Sequence, residues 1–249
     1  MTTALFDERL QALRRLRAAR TGWRTFLHER VLEDFVDRLA FIKRDFANAL
    51  VIGWPSSELP KVDRIADSID WRATPELLGP ADMGAFDLVL MIGTVESAND
   101  PRSLFHAVRA CLAPDGLLLG ALVGGDSLPA LRRAMLAADT VAGRGVAPHV
   151  HPRIEPAAVA GLLTDAGFQL PVVDVDRVEL RYLDLAGLVA DLRGTGATNA
   201  LISRHSRPFG RASLQAASKS FAEGGGEERI DLVHFAGWTP RSTNDLNVN

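Results

Sequence analysis

The sequence predicts an α/β protein with a doubly wound, mostly parallel β-sheet, an N-terminal helical cap and one shortened strand–helix unit. Apolar strand patterns alternate with amphipathic helix patterns between about residues 48 and 240, which is typical of a sheet covered by helices. The first strand, residues 49–52, runs directly into Gly53, as in domains that bind a nucleotide at a glycine-rich turn. Only about 33 residues separate Gly53 from Phe86, whereas two complete strand–helix units need about 50.

Two amphipathic helices are expected before the sheet. Apolar residues recur at helical spacing from Phe6 to Leu16 and again from Phe26 to Leu39. Several arginines lie between the apolar residues of the first segment, and we interpret them as a solvated helix face, with contact to RNA or an acidic partner as the alternative. We expect a helical cap over residues 1–47, an α/β domain over 48–240 and a disordered polar tail over 241–249.

The elements of the α/β domain follow from the same patterns. Strands are predicted at residues 49–52, 87–92, 117–123, 172–180 and 230–238. Helices are predicted at residues 101–112, 128–142, 156–166 and 185–192. Pro101 suits the first position of a helix, and Gly167 ends one. The run of apolar residues at 117–123 indicates a strand that is buried on both faces.

Composition narrows the classes of function. The chain has 249 residues, 47% of them hydrophobic, and a net charge of −3, so its charge does not indicate a nucleic-acid partner. Cys111 is the only cysteine, which excludes an internal disulfide and a multi-cysteine metal site. No segment approaches the ~20 apolar residues of a membrane span, and no apolar signal region begins the chain. We therefore expect a cytoplasmic protein without a membrane span.

Residues 86–135, FDLVLMIGTVESANDPRSLFHAVRACLAPDGLLLGALVGGDSLPALRRAM, carry a resemblance to a known family. They resemble class I S-adenosyl-L-methionine (SAM)-dependent methyltransferases of the methyltransferase-11 type. The phrases FDERL, GGDSLPALR, PHVHP, AGFQLPVVDVD and DLRGTGATN are similar to the branch that contains the mitochondrial complex I assembly arginine hydroxylase. The biotin-pathway malonyl-carrier-protein methyltransferase is a more distant relative. The resemblance spans most of residues 5–240 and implies a Rossmann-like fold, SAM as cofactor and a protein or carrier-protein substrate.

The cofactor-binding motifs of that family are altered in this chain. The family's first motif, D-x-G-x-G-x-G, aligns with residues 51–57, where only Gly53 remains and Trp54 and Pro55 follow it. The acid at the end of the family's second strand aligns with Asp67, and the L-x-W phrase is replaced by a segment that begins at Thr94. The resemblance therefore implies Gly53, Asp67 and Thr94 as the remaining cofactor contacts. The family's third acidic position, near residues 73–74, holds no acid.

Other polar residues are candidates for the substrate side. Asp126 follows the strand at 117–123 and would either cap the next helix or orient a guanidinium or amine of the substrate. His149 and His151 lie in a proline-bracketed segment, where a structural role is favoured over metal binding. We therefore predict no metal site. Arg193 would either recognise a carboxylate or phosphate or pair with Asp191.

The strand at 172–180 adds two carboxylates and a neighbouring tyrosine. Asp174 and Asp176 alternate and therefore face the same side of the strand. An exposed polar face is favoured over a carboxylate pair for acid–base chemistry. Tyr182, the only tyrosine, follows shortly afterwards and is a candidate for the substrate side.

Two functions are consistent with these residues. The first is a SAM-dependent methyltransferase, or a hydroxylase of the same family, that acts on a protein or carrier protein despite a degenerate SAM-binding loop. The second is a catalytically silent relative that serves as a binding or assembly factor of the respiratory complex I type. No nucleophile arrangement is visible, and both functions need a protein partner or substrate. An open turn at Gly53 favours the first function, whereas a Trp54 side chain folded into the cleft favours the second.

Overall fold

A computed structural model describes residues 4–55, 65–143, 145–205 and 207–241. Its strands are β1 (Asn48–Ile52), β2 (Ser68–Arg72), β3 (Phe86–Ile92), β4 (Leu112–Gly124), β5 (Gln169–Arg181) and β6 (Glu227–Trp238). Its α-helices are α1 (Glu8–Thr21), α2 (Phe26–Phe41), α3 (Pro101–Cys111), α4 (Pro129–Ala142), α5 (Pro156–Asp165), α6 (Leu185–Gly194) and α7 (Arg211–Glu223). Within the described residues no helix is long and apolar enough to cross a membrane.

The strands form one six-stranded sheet in the order β2-β1-β3-β4-β6-β5. Strands β1, β2, β3 and β4 pair in parallel. The registers place Ile52 of β1 beside Arg72 of β2 and beside Met91 of β3. The carboxyl ends of these strands therefore lie at the same edge, where open α/β sheets bind ligands. The predicted α/β fold with a mostly parallel sheet is confirmed.

The described chain divides into two compact units. The first unit comprises residues 1–25, 124–153 and 177–231, and the second comprises 26–123, 154–176 and 232–249. In the first unit α4 packs against α7 and α1 against α6. The second unit contains β1 to β3 and nearly all of β4. The predicted boundaries at residues 47 and 240 stay a prediction, and residues 242–249 of the predicted tail lie outside the described part.

The core of the second unit explains why its strands contain few polar residues. All seven residues of β3 except Asp87 are buried, and the last four residues of β1 are buried as well. Phe105 of α3 meets Phe235 of β6 edge to face, with ring centroids 5.4 Å apart. Gly120 of β4 leaves room for Phe235, because a Cβ there would lie 2.1 Å from Cζ of that ring. This core holds the carboxyl ends of β1 and β3 rigidly in place.

Most predicted elements agree with the structure, but two are missing from the prediction. Strand β2 was not predicted, because it has only five residues and only two of them, Ile69 and Trp71, are apolar. Helix α7 was also not predicted, although Ser213, Ala217 and Phe221 recur every four residues and form its buried face. Between β1 and β3 the described residues contain one strand and only short 3₁₀ turns. Residues 56–64 of this shortened region lie outside the described part.

Candidate functional site

The turn after β1 is shaped by Gly53. Its φ angle is +91°, a conformation that favours glycine. A Cβ at this position would lie 2.0 Å from the carbonyl oxygen of Ile92 and 2.6 Å from Cγ2 of Thr94. The backbone N–H of Gly53 donates to the carbonyl oxygen of Arg72, at 3.0 Å. The structure therefore brings Gly53 and Thr94 together, and glycine is required because the neighbouring chain lies so close.

The side chain of Trp54 lies buried at the same turn. The residue is 3% exposed, and its ring meets the His28 ring of α2 edge to face, with centroids 6.1 Å apart. The indole N–H of Trp71 donates to the carbonyl oxygen of Trp54, at 3.0 Å. Trp54 is thus packed on one side and hydrogen-bonded through its backbone on the other. Ser56 and Ser57 of the aligned motif lie outside the described residues.

His28 of α2 lies at the same edge of the sheet. A Cβ at Gly93, the residue after β3, would lie 3.8 Å from Nε2 of His28. Burial lowers the pKa of His28 to about 4, against the opposing effect of Glu29, so the ring is neutral at pH 7. Within the described part of the chain, its Nδ1 and the Oγ1 of Thr94 are buried without a hydrogen-bond partner. The sequence pattern did not indicate His28 as part of this edge.

The structure corrects the placement of Asp67. This residue precedes β2, and its N–H donates to the carbonyl oxygen of Phe46, which lies just before β1. Asp67 is therefore at the amino end of β2, about 16 Å of chain length from Arg72 at the edge that holds Gly53. The alignment failed here because the shortened region hides where the second strand lies.

A cation stands at the carboxyl end of β2. Arg72 ends the strand, and its guanidinium pairs with the buried carboxylate of Asp82, at 2.9 Å. Asp82 also accepts from the N–H of Gly79, at 2.8 Å. Neither Ala73 nor Thr74, which follow, carries a charge. An arginine with its own carboxylate partner therefore occupies the strand end where nucleotide-binding folds place an acid for the ribose hydroxyls.

A cavity of about 290 Å³ runs along β2 rather than at the Gly53 turn. Its polar lining residues are Asn48, Ser68, Asp70, Arg72 and Asp82. Ser68, Asp70 and Arg72 alternate on one face of the strand. Asn48 and Ser68 are the first residues of β1 and β2, at the opposite strand ends from Gly53. The residues that line the cavity include none of Gly53, Trp54 and Thr94.

Asp126 does not cap the helix that follows it, which corrects that prediction. Helix α4 is capped by Glu228, whose buried carboxylate accepts from the N–H groups of Ala130 and Leu131, at 3.2 and 2.8 Å. The carboxylate of Asp126 is exposed and pairs with Arg229. The cap was not predictable because Glu228 lies nearly a hundred residues along the chain from α4.

The glycine-rich loop around Asp126 is held by a second carboxylate. Asp231 accepts from the N–H of Asp126, at 3.1 Å, and pairs with Arg177, at 3.2 Å. The buried hydroxyl of Ser127 donates to the carbonyl oxygen of Gly124 and accepts from the N–H of Asp231. The GGDS phrase thus builds a rigid turn. Asp126 stays available at its surface, paired only with arginines.

The two histidines of the PHVHP segment have separate structural partners. Nε2 of His149 lies 3.0 Å from both carboxylate oxygens of Asp139, which is buried. Nε2 of His151 accepts from the N–H of Ala200, at 3.0 Å. Within the described residues no group of three or more histidine, cysteine or acidic side chains could hold a metal ion.

The carboxylates of β5 are ion-pair partners of α2. Asp174 pairs with Arg38, at 2.7 Å, and Asp176 pairs with Arg30, at 2.6 Å. Both side chains reach the same helix, so they share a face as the alternation predicts. The Arg30 guanidinium lowers the pKa of Asp176. Asp176 therefore stays ionised, whereas a shared acid–base pair requires one carboxyl group with a raised pKa.

Tyr182 and Arg193 are not brought together by a common partner. Burial and a hydrogen bond with Asp191 raise the pKa of Tyr182. Asp191 pairs with Arg24, at 2.6 Å. The alternative that Arg193 pairs with Asp191 is therefore wrong, and Arg193 is exposed.

Known proteins resemble this chain in sequence. The chain is 28% identical over 246 residues to the mitochondrial arginine-hydroxylase NDUFAF5 of Danio rerio, covering 88% of this chain and 76% of that protein. It is 28% identical over 207 residues to malonyl-[acyl-carrier protein] O-methyltransferase of Xylella fastidiosa, covering 76% of this chain and 68% of that protein.

A putative methyltransferase from Bacillus halodurans superposes with a TM-score of 0.49 at 11% identity, covering 83% of this chain and 98% of that one. A family model described as a methyltransferase domain matches residues 41–172, which is more than half of the chain. The matched segment contains β1 to β4 together with Gly53, Trp54 and Thr94, but not His28. The chain belongs to this methyltransferase-domain family.

Proposed function

We propose that this chain is a catalytically silent methyltransferase relative that serves as a binding or assembly factor for a protein partner. The observation that carries the proposal is the buried Trp54 at the turn after β1, 3% exposed and packed on His28. In nucleotide-binding α/β folds this turn is built of glycines, so that backbone N–H groups can approach the ligand. Here the residue after Gly53 is a tryptophan whose buried ring packs against His28.

The residues around the turn do not fit SAM in the way of the family. Pro55 has no N–H to offer a ligand. Arg72 stands at the end of β2, where an acid would bind the ribose hydroxyls, and its guanidinium already has the partner Asp82. His28 is neutral and buried beside Gly93. SAM binding would therefore require Trp54 and His28 to move together out of a packed position.

The names of the relatives favour a partner of protein size. One is named for hydroxylation of arginine and the other for methylation of a carrier protein. A chain that keeps the fold but does not bind the cofactor can still bind such a partner through its surface. Assembly of a respiratory complex is the role we propose on this basis, and the cytoplasmic location stays a prediction from the sequence.

Methyl transfer to a protein or carrier protein is the alternative function. It is favoured by the family match and by the preserved glycine turns at Gly53 and Gly93, both with positive φ angles. In that case Gly53 and Thr94 would contact the cofactor, and the substrate side would include Asp126, His149, Tyr182 and Arg193. Both functions predict a protein partner, so cofactor binding is the property that separates them.

Isothermal titration of the full chain with SAM and with its demethylated product tests the proposal. We expect no heat and no thermal shift at millimolar ligand for the wild-type chain. The Trp54→Gly variant serves as the matched comparison, since binding that appears only in this variant would show that the indole blocks the site. Micromolar binding to the wild-type chain would overturn the proposal and favour the enzyme.

A further inference from the structure

Three phrases that carry the family resemblance meet in the first unit. Phe6 of FDERL forms an antiparallel bridge with Leu201, which follows DLRGTGATN. The N–H of Asp7 donates to the carbonyl oxygen of Ala200, at 2.9 Å. The N–H of Ala200 in turn donates to Nε2 of His151 in PHVHP, and the His151 ring meets Phe6 edge to face. These segments build one junction beside α1.

Within the described residues, the charges of Arg14, Arg17 and Arg204 act on one another at this junction, and Asp7 is the carboxylate that opposes them. Nη1 of Arg14, on α1, is buried and has no hydrogen-bond partner among the described residues. Burial and the positive charges of Arg204 and Arg17 lower the pKa of Arg14, and only Asp7 opposes them. Arg14 as a whole is half-buried, but a buried N–H donor such as its Nη1 is costly to leave without a hydrogen bond.

The one carboxylate at the junction is already engaged. Asp7 caps α1, because its Oδ1 accepts from the N–H of Leu10, at 2.9 Å. Its Oδ2 lies 3.5 Å from Arg204, whose Nη1 also donates to the carbonyl oxygen of Leu201, at 2.8 Å. The negative charge of Asp7 is therefore shared between the start of α1, Arg204 and Arg14.

The imidazole of His151 adds no charge to the junction. Burial and the charges of Arg153 and Arg14 lower the pKa of its imidazole to about 4. The ring is thus neutral at pH 7 and fixed by the N–H of Ala200. The junction holds a net positive charge in a partly buried position.

We propose that this junction is an oxyanion-binding site in which Arg14 and Arg204 hold a carboxylate or phosphate group of a ligand or partner. The planar guanidinium fork matches the geometry of both groups. The bound oxyanion would accept from the buried Nη1 of Arg14 and complete the charge balance that Asp7 leaves open. The residues of this site belong to the first unit, whereas the residues of the Gly53 edge belong to the second. The proposed oxyanion site therefore shares no residue with the site proposed for SAM.

Isothermal titration and thermal shift of the full chain test the site, with inorganic phosphate and acetate as probes. Sodium chloride at equal ionic strength controls for general screening. Arg14→Gln is the test variant, and Arg20→Gln is its control, because Arg20 is exposed on the same helix and loses the same charge. Arg204→Gln is the second test variant if Arg14→Gln fails to fold.

We expect phosphate or acetate to bind and stabilise the wild-type chain, and the stronger of the two identifies the natural group. Arg14→Gln should bind about tenfold more weakly or worse, as expected for losing a hydrogen bond to a charged group. Arg20→Gln should bind as the wild type does. Failure of both probes to bind, or equal losses in the Arg14 and Arg20 variants, would overturn the proposal.

Discussion

Replacing Trp54 by alanine tests whether the turn after β1 is a packed position. The side chain is 3% exposed and in contact with His28, and its carbonyl oxygen accepts from Trp71. The backbone hydrogen bond survives the substitution, so the change isolates the packing of the ring. If the indole fills the turn, its removal leaves a cavity between α2 and the strand ends.

The size of the effect follows from burial. Truncating a buried tryptophan to alanine costs about 3–5 kcal/mol. The free energy of unfolding of a typical domain is only about 5–15 kcal/mol, so this is a large part of it. With a urea m-value of about 3 kcal/mol/M, the midpoint of unfolding should fall by about 1 M. Most of this loss is the transfer and cavity cost of the ring itself.

Urea unfolding followed by far-UV circular dichroism measures the loss. Leu183→Ala is the control, because Leu183 is fully exposed and its truncation should change stability by no more than about 0.5 kcal/mol. A loss below about 1 kcal/mol in Trp54→Ala would show that the ring is not part of the core. The turn would then be free to open for a ligand, and the argument for a silent site would fail.

Three further predictions concern the same elements. Gly53→Ala should destabilise the chain by more than the roughly 1–3 kcal/mol of positive-φ strain, because the new Cβ would also clash with the neighbouring chain. Gly84→Ala is the control: its φ is +64° and nothing lies within 4 Å of the added Cβ, so it should show only the strain. Urea unfolding compares the two variants. Glu228→Ala should cost about 1–2 kcal/mol through the lost cap of α4, while Asp126→Ala should be nearly neutral in the same assay, and equal losses would contradict the assignment of the cap. The folded-state pKa of His28, about 4, lies below its ordinary value of 6.5, so protonation favours unfolding and stability should fall as pH decreases from about 6.5 to about 4. In His28→Gln this decrease should be smaller, and an unchanged pH profile would contradict the burial of His28.

The sheet could be predicted because its signal is local. Strands β1, β3 and β4 are buried along most of their length and read as continuous apolar runs, which indicate strands without any knowledge of their partners. Strand β2 lies at the edge of the sheet and is mostly exposed. Its five residues include only two apolar ones, Ile69 and Trp71, so the pattern is too short to indicate a strand.

The candidate site could be predicted only in part. Gly53 and Thr94 were named because the family resemblance aligns them with cofactor-binding motifs, and the structure brings the two residues together at one edge of the sheet. Asp67 was misplaced because the position of β2 within the shortened region could not be read from the pattern. His28 was missed because an amphipathic helix does not indicate which of its residues faces a ligand edge.

The sequence by itself determined the alternation of strands and helices, the family, and the presence of Trp54 and Pro55 directly after Gly53. These properties depend on residue type and spacing along a short stretch of chain. Only the tertiary structure decided that Trp54 packs on His28, that Glu228 caps α4, and that Asp7 pairs with Arg204. Each of these contacts joins residues far apart in the chain, and local periodicity carries no information about which distant side chains meet.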